Sequence, residues 1–464
     1  MSEIFKRSIN HLITDDYSKE VIESYLKSVE ELFKADYLNS DKSLGVLPIL
    51  WKRKDALATN ELFALGKAIH SLKAMNGDSI NEWLDSTAKT VKKQAKFHGK
   101  SEGFLREIIY CGSLFGTIGE IIPAKKAQQA YDVEIRTPNV EFVVSLKKFG
   151  KSDKHKEFEN YCQKLADILK LKAAAHKKNI SLTIQINTSF NEALFKSLYR
   201  AIENSSKPEN INYYRGGELM MHSTTLTAAG VSPNSGSWQL NLMGPENKNE
   251  QTRFVKNIVK EITNIKKTLD NSPAHENALR MLYVNVNENC DMDLVENLLQ
   301  EHYKPLDLSD DLGVDIVVLH KSAVCHGEIA EKFSKEILHD IRVLNIKTDI
   351  TISNRLLRYV QNGANAVIAP LHLDGLVGSI AKIPFPIIKQ GNLELDLKGF
   401  YNFQKGVYKF DMIKGKDGYS IEMSSVGPRG IIYEAIFPKE YSNDKKSYGI
   451  TSKLMSEHDD LLII

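Results

Sequence analysis

The sequence predicts an α/β (α+β) protein in three regions: a helical N-terminal region over 1–100, an αβ core carrying an insertion over 101–275, and a C-terminal α/β domain over 276–464 that ends in antiparallel strands. Three observations predict it. Apolar residues recur at helical spacing through the first hundred positions. Between 130 and 187 the pattern changes to alternation, in segments separated by turn residues and one long helical stretch. From Asn392 onward short alternating runs follow one another across glycine-containing turns.

Each element has its own reason. Over 19–37, Val21, Ile22, Tyr25, Leu26, Val29 and Leu32 form a helical apolar stripe, and 61–75 and 80–91 repeat it. Pro48 and Asn76-Gly77-Asp78 punctuate between them. A further apolar helix is expected over 102–122, with Gly112, Gly116 and Gly119 allowing close approach to a sheet and Glu120 near its end. A strand at 131–135, the turn Arg136-Thr137-Pro138-Asn139 and a strand at 140–149 make a hairpin. Ser152 or Asp153 caps a helix to about 177, and 179–187 alternates cleanly as a strand. Ser189 and Glu192 form a capping box before a helix to about 204. The stretch 205–244 reads as irregular, apart from a short strand at 238–243. Over 247–269, Phe254, Ile258, Ile262, Ile265 and Leu269 give a helix with a core-facing stripe. Strands are expected at 282–286 and 314–319, each before a helix, and at 364–370. The C-terminal run reads as a meander over 393–397, 406–413, 419–424 and 431–437, with a hairpin turn at 415–418.

Composition narrows the function. A chain of 464 residues with 42% hydrophobic and 26% charged residues is an ordinary globular protein of two or three domains. No run is long enough to cross a bilayer, and the first twenty residues carry acids rather than the apolar core of a signal peptide. A cytoplasmic protein with no membrane partner is expected. Cys111, Cys162, Cys290 and Cys325 form no CxxC pair, so neither a disulfide framework nor a zinc ribbon is indicated. There is no GxxxxGK[ST] nucleotide loop. His320, Cys325 and His326 have no evident fourth ligand, and loop packing is the better reading of them. The net charge of +2 is too small to argue for nucleic acid. Basic residues do cluster: Lys92, Lys93, Lys96, His98 and Lys100; Lys147, Lys148, Lys151, Lys154, His155 and Lys156; Lys170, Lys172, His176, Lys177 and Lys178. Phosphate contacts and a solvated helix face balanced by acids both fit them.

The hairpin carries the chemistry. Alternation puts Asp132 and Glu134 on one face of its first strand, and Glu141, Val143, Ser145 and Lys147 on one face of its second. If the polar faces coincide, a carboxylate lies beside a lysine. Such oxygens can hold Mg²⁺, and a lysine beside them can stabilise charge on a phosphoryl oxygen.

This order of helix, strand, strand, helix, strand and helix over roughly 102–204 resembles the PD-(D/E)XK nuclease superfamily, the restriction-endonuclease-like fold. That family is marked by an acid on the first core helix, an Asp on one strand and (D/E)xK on the next. Glu120, Asp132 and Ser145-Leu146-Lys147 fall in those places. Ser145 stands where the family has an acid, with Glu134 the best substitute and Glu141 the second. The family also has a strand between the helix and the Asp-bearing strand. Since 124–130 does not alternate, that strand is lost or the helix ends early. The resemblance implies a Mg²⁺- or Mn²⁺-dependent DNA endonuclease, in restriction or anti-phage defence. Asp132 and Glu120 would hold the metal, Glu134 would assist, and Lys147 would position water or stabilise charge. The rival is a catalytically degenerate nuclease-like protein, with Ser145 for the acid, that binds DNA or scaffolds a protein partner or second copy. A third class, a small-molecule hydrolase using His222 and Ser237, has no spacing that sets a nucleophile beside a base.

Overall fold

The structure, a computed structural model, describes residues 7–345 with short breaks, the longest at 96–100, 125–130, 227–232, 270–277 and 304–312, and resumes in strand segments between 376 and 425. The first layer is helical: α1 (Lys19–Phe33), α2 (Ala35–Leu38), α3 (Val46–Lys52), α4 (Ala56–Ala74), α5 (Asp78–Gln94) and α6 (Glu102–Leu114). Ser18 caps α1 by accepting from the Val21 N–H, and Ile22, Leu26, Val29 and Phe33 form its buried face. The helix expected to reach residue 122 stops at Leu114. Its glycine serves a different neighbour from the one expected. A Cβ on Gly112 would lie 2.4 Å from the Ala68 carbonyl oxygen, so α6 meets the backbone of α4 rather than a sheet.

The chain continues as β1 (Glu120–Pro123), β2 (Val133–Arg136), β3 (Glu141–Phe149), α7 (Asp153–His176), β4 (Ile180–Ile186), α8 (Glu192–Glu203), β5 (Asn212–Arg215), β6 (Leu219–Thr225) and β7 (Trp238–Pro245). Next come α9 (Glu250–Leu269), β8 (Leu279–Val286), α10 (Met292–Tyr303), β9 (Ile316–Ile329) and β10 (Lys332–Asn345). The last described strands are β11 (Leu376–Ile380), β12 (Ile387–Gln390), β13 (Leu393–Asp396), β14 (Phe400–Gly406), β15 (Tyr408–Gly415) and β16 (Gly418–Ser425).

Two large sheets organise the molecule. The first has the order β1-β2-β3-β8-β9-β10-β11, with β1, β2 and β3 antiparallel and β3, β8 and β9 parallel. One face packs on the N-terminal helices through Val133, Ile135, Phe142, Val144, Tyr283 and Val318. The other packs on α9 and α10 through Val143, Leu282, Val284, Phe254, Ile258 and Val295. The second sheet, β14-β7-β4-β6-β5, lays Ile180, Leu182, Ile184, Leu240 and Leu242 against α7 residues Phe158, Cys162, Leu165 and Leu169.

The helix and strand that follow the hairpin in space are therefore not those that follow it in sequence. A parallel neighbour needs a crossover. Here that crossover leaves β3, builds most of the second sheet, and returns through α9 to β8. The stretches expected to complete the nuclease-like core, now α7 and β4, belong to the second sheet instead. The first sheet also draws strands from both sides of residue 276, so the expected 275/276 boundary does not separate the sheets.

Other expectations are corrected locally. The stretch read as irregular holds the β5–β6 hairpin, where Leu219, Met221 and Ser223 are buried and Met220, His222 and Thr224 are exposed. Asn191, not Ser189, caps α8 through the Leu194 N–H. β9 turns back into β10 rather than into a helix. β14 joins β7 instead of the terminal meander. The strands expected at 364–370 and 431–437 lie outside the described residues.

Candidate functional site

The β2–β3 register pairs Val133 with Val144 and Arg136 with Glu141. Extended by one residue, it sets Asp132 opposite Ser145. Asp132, Glu134, Ser145 and Lys147 therefore share the sheet face that α9 covers, and Glu120, opposite Arg136 on β1, shares it too. Placement along that face divides them into two groups.

The first group is Asp132, Ser145 and Lys147. The Asp132 N–H donates to the Val144 carbonyl at 2.8 Å, and its carboxylate Oδ2 accepts from the Leu146 N–H at 2.6 Å and from Ser145 Oγ at 3.4 Å. Asp132 thus finishes the ladder that β2 begins and leaves its second oxygen, Oδ1, out of these bonds. Lys147 lies farther along β3, one-third exposed, with Nζ 4.0 Å from Glu261 Oε2 on α9.

The second group surrounds Arg136. Its Nη1 lies 4.0 Å from Glu120 Oε2, and its Nε is paired with the buried Glu134 carboxylate. The Tyr131 hydroxyl also donates to Glu134, at 3.3 Å. Burial and the Glu134 charge push that phenol up to about 12. Arg136 and Asp132 are four residues apart, about 13 Å along a strand. Glu120 and Asp132 therefore do not form the expected metal pair. Glu120 is also on a strand rather than on the core helix, and Glu134 is engaged by Arg136 and Tyr131 instead of replacing the acid missing at Ser145.

Two acids not singled out in the sequence lie on the helices that cover the two faces of this sheet, Glu107 on α6 and Glu261 on α9. Glu107, half-buried on α6, and Asp132 both act on Cys111: burial pushes its thiol well up, and the negative charges of Glu107 and Asp132 add to that. Glu107 thus occupies the helix that Glu120 was expected to occupy. Glu261 lies more than a hundred residues from Lys147 in sequence, and only the tertiary crossover brings α9 beside β3.

A divalent ion is tested by this donor set. Mg²⁺ commonly binds one or two carboxylates and keeps several waters. Asp132 Oδ1 and Ser145 Oγ suit such a hydrated ion. They do not make a protein cage: among the described residues, no group of three His, Cys, Asp or Glu side chains converges on one point.

The basic cluster at and after the hairpin is largely neutralised, and so is Lys178 of the third cluster. Lys148 pairs with Glu102, Lys151 with Glu159 at 2.8 Å, Lys154 with Glu157 at 2.7 Å, Lys156 with Asp153 at 3.8 Å and Lys178 with Glu209 at 3.7 Å. His155 is buried and stacked on Tyr401. Lys96, His98 and Lys100 lie outside the described residues. Of the remaining candidates, His222 bonds Asn212 while Ser237 bonds Ser235 and Asn179, so no nucleophile–base pair forms. His320 is a core residue of β9, bonded to Tyr283 and His339, and the side chains of Cys325 and His326 lie outside the described set.

Among the described residues, no helix is long and apolar enough to cross a membrane. No protein-family model matches the chain, and no curated protein or solved structure is significantly similar to it.

Proposed function

We propose that the chain is a metal-dependent DNA endonuclease whose core is α6, β1, β2, β3, α9 and β8. The observation that carries this reading is the one sheet face that holds Asp132, Ser145 and Lys147, with Glu261 beside the lysine. The order helix, strand, Asp-bearing strand, lysine-bearing strand, helix and parallel strand supports it, once the second sheet is taken as an insertion. Asp132 and Ser145 would hold Mg²⁺ or Mn²⁺, which when bound stabilises charge on phosphoryl oxygens and lowers the pKa of bound water. Lys147 places an ammonium where a phosphoryl oxygen gains charge. Glu261 orients that ammonium from α9. Restriction or anti-phage defence is the setting this activity fits.

One observation favours the rival, a nuclease-like protein that binds DNA without cutting. Asp132 Oδ2 already serves the Leu146 N–H, and no acid stands at position 145. Incubation of the purified protein with plasmid DNA in Mg²⁺, Mn²⁺ or EDTA separates the two. Metal-dependent nicking or linearisation that Lys147→Ala and Asp132→Asn both abolish is the expected result. Full activity in either variant ends the endonuclease reading, and salt-sensitive binding with no cleavage in any metal moves the assignment to the rival.

A further inference from the structure

Between the helical layer and the first sheet, the core encloses an arginine without an acceptor. Arg106 on α6 is 5% exposed, and its Nε, Nη1 and Nη2 have no hydrogen-bond partner among the described residues. It lies one helical turn before Tyr110, whose ring meets that of Tyr283 on β8 edge-on at 5.2 Å. Tyr283 begins a buried polar row that crosses three strands. Its hydroxyl is 2.7 Å from His320 Nδ1 on β9, and His320 Nε2 is 3.0 Å from His339 Nδ1 on β10. Ser322 Oγ lies 3.1 Å and 3.2 Å from the latter two nitrogens. The row ends on His339 Nε2, which is buried and also has no partner among the described residues. The Arg106 charge acts on Tyr283, His320 and His339 alike. Burial first, and that charge as well, push both imidazoles down, so both are neutral. The arginine cannot become neutral, because a guanidinium keeps its proton in a protein. Negative charge is not what it lacks, since Glu61 and Glu102 both attract it. Neither carboxylate bonds it, however, and Glu102 is paired with Lys148. A buried donor left in this way carries its full desolvation cost.

We infer that Arg106 and His339 hold a small anion, a carboxylate or phosphate group, between α6 and the strands β8, β9 and β10. The guanidinium is a planar fork that takes two oxygens of such a group at once, a match that a single bridging water does not offer. The polar row supplies a further donor when it runs in one direction. Tyr283 then donates to His320 Nδ1, the His320 Nε2–H donates to His339 Nδ1, and the His339 Nε2–H is left to give to the anion. Run the other way, the row ends in a bare lone pair at His339, beside a cation that already lacks acceptors. The anion selects the first direction. His320 and His339 are fully buried, so the occupant is small and bound within the fold rather than on its surface. It joins the helical layer to the sheet, because Arg106 belongs to the one and His339 to the other. The site is on the face that holds Tyr283 and Val318, across the sheet from Asp132, Lys147 and α9, so it does not depend on the endonuclease reading.

The test is urea unfolding of the full chain in sodium acetate, sodium phosphate or sodium chloride at equal ionic strength. Chloride is the reference, having one atom where the fork takes two. Salts also act on protein surfaces in general, so each response is read as the difference between the parent and Arg106→Met, which replaces the charge with an apolar chain of similar length. In chloride the variant should be at least as stable as the parent. In acetate or phosphate the parent alone should gain: above the Kd, each tenfold rise in the anion lowers its unfolding constant about tenfold. Gain in acetate only assigns a carboxylate, and gain in phosphate only assigns a phosphate. Should Arg106→Met not fold, Arg106→Lys keeps the charge but loses the fork, and its gain should require about tenfold more anion or beyond. An equal response in the parent and the arginine variant overturns the site, and an unchanged response in His339→Phe overturns the histidine's part in it. A variant less stable than the parent in every salt, with Glu61→Gln destabilised to match, also overturns it, because Arg106 is then paired with Glu61.

Discussion

Asp132 is asked to do two things, and substitutions can separate them. Its carboxylate closes the β2–β3 ladder by accepting the Leu146 N–H at 2.6 Å, and it is also the group proposed to hold a divalent ion. Asp132→Ala removes both roles. It leaves a half-buried backbone donor without an acceptor, which costs about 1–3 kcal/mol, the lower part of that range where water reaches the site. Asp132→Asn keeps an amide oxygen for Leu146 and loses only the assistance of the charge, about 1 kcal/mol. It nevertheless removes the anion that attracts the metal, and with it several kcal/mol of transition-state stabilisation, a fall in cleavage of about 100-fold or more. Urea unfolding, read as the shift in midpoint at constant slope, gives the stability order parent, Asn, Ala. Plasmid cleavage should place Asn and Ala together, well below the parent. An Ala variant as stable as the parent would refute the ladder role, and an Asn variant that cuts normally would refute the metal role.

Three further outcomes follow from the packing. Gly112→Ala should destabilise by about 1–3 kcal/mol, because its Cβ would lie 2.4 Å from the Ala68 carbonyl oxygen; a thermal midpoint equal to the parent's would show that α4 and α6 part at no cost. Tyr401→Phe removes a donor from the buried Glu250 carboxylate and should cost about 1.5–3 kcal/mol in urea unfolding. His339 is held down to about 3, by burial first and then by the Arg106 charge. Its folded value lies below the unfolded 6.5, so the unfolded chain takes up the proton first and stability falls as pH drops through 6.5 towards 3. Between pH 6.5 and 5 the imidazole contributes about 2 kcal/mol of that loss; His339→Gln should shrink the stability difference between those pH values, and an unchanged difference would remove the histidine from the account.

The hairpin was legible because its information is local. Alternation at Asp132 to Ile135 and at Glu141 to Lys147, with a Pro-Asn turn between them, sets faces without reference to the rest of the chain. The helical layer was legible for the same reason, since Ile22, Leu26, Val29 and Phe33 mark their own buried face. What did not show in sequence was non-local. The alternation at 180–186 correctly marks a strand, yet nothing in it states that its partners are β6 and β7 rather than β3. Glycines mark close approach but not the neighbour approached: Gly112 meets Ala68 of a helix, not a sheet. Glu134 matched a vacant ligand position by spacing, but the arginine two residues on, sharing its face, holds its carboxylate.

The insertion explains why the site can survive such a detour. The two ends of the crossover meet again: Ser152, just after β3, donates to Glu250 at the start of α9, and Arg253 donates to the Gly150 carbonyl at 3.3 Å. A unit whose ends close on each other leaves the parent sheet geometrically undisturbed, which is why such insertions are tolerated at loops. Yet this one is not free-standing. Its edge strand β14 comes from beyond the first sheet, and Tyr401 on that strand reaches the same Glu250 carboxylate. The chain thus passes from first sheet to second, back, and out again, and the buried acid on the return passage receives one hydroxyl from each of the two outward passages. Since Glu250 begins the helix that carries Glu261, contacts from the second sheet join the packing on the first in holding α9 in place. The inserted unit is therefore part of what would shape the substrate path, not an appendage to it.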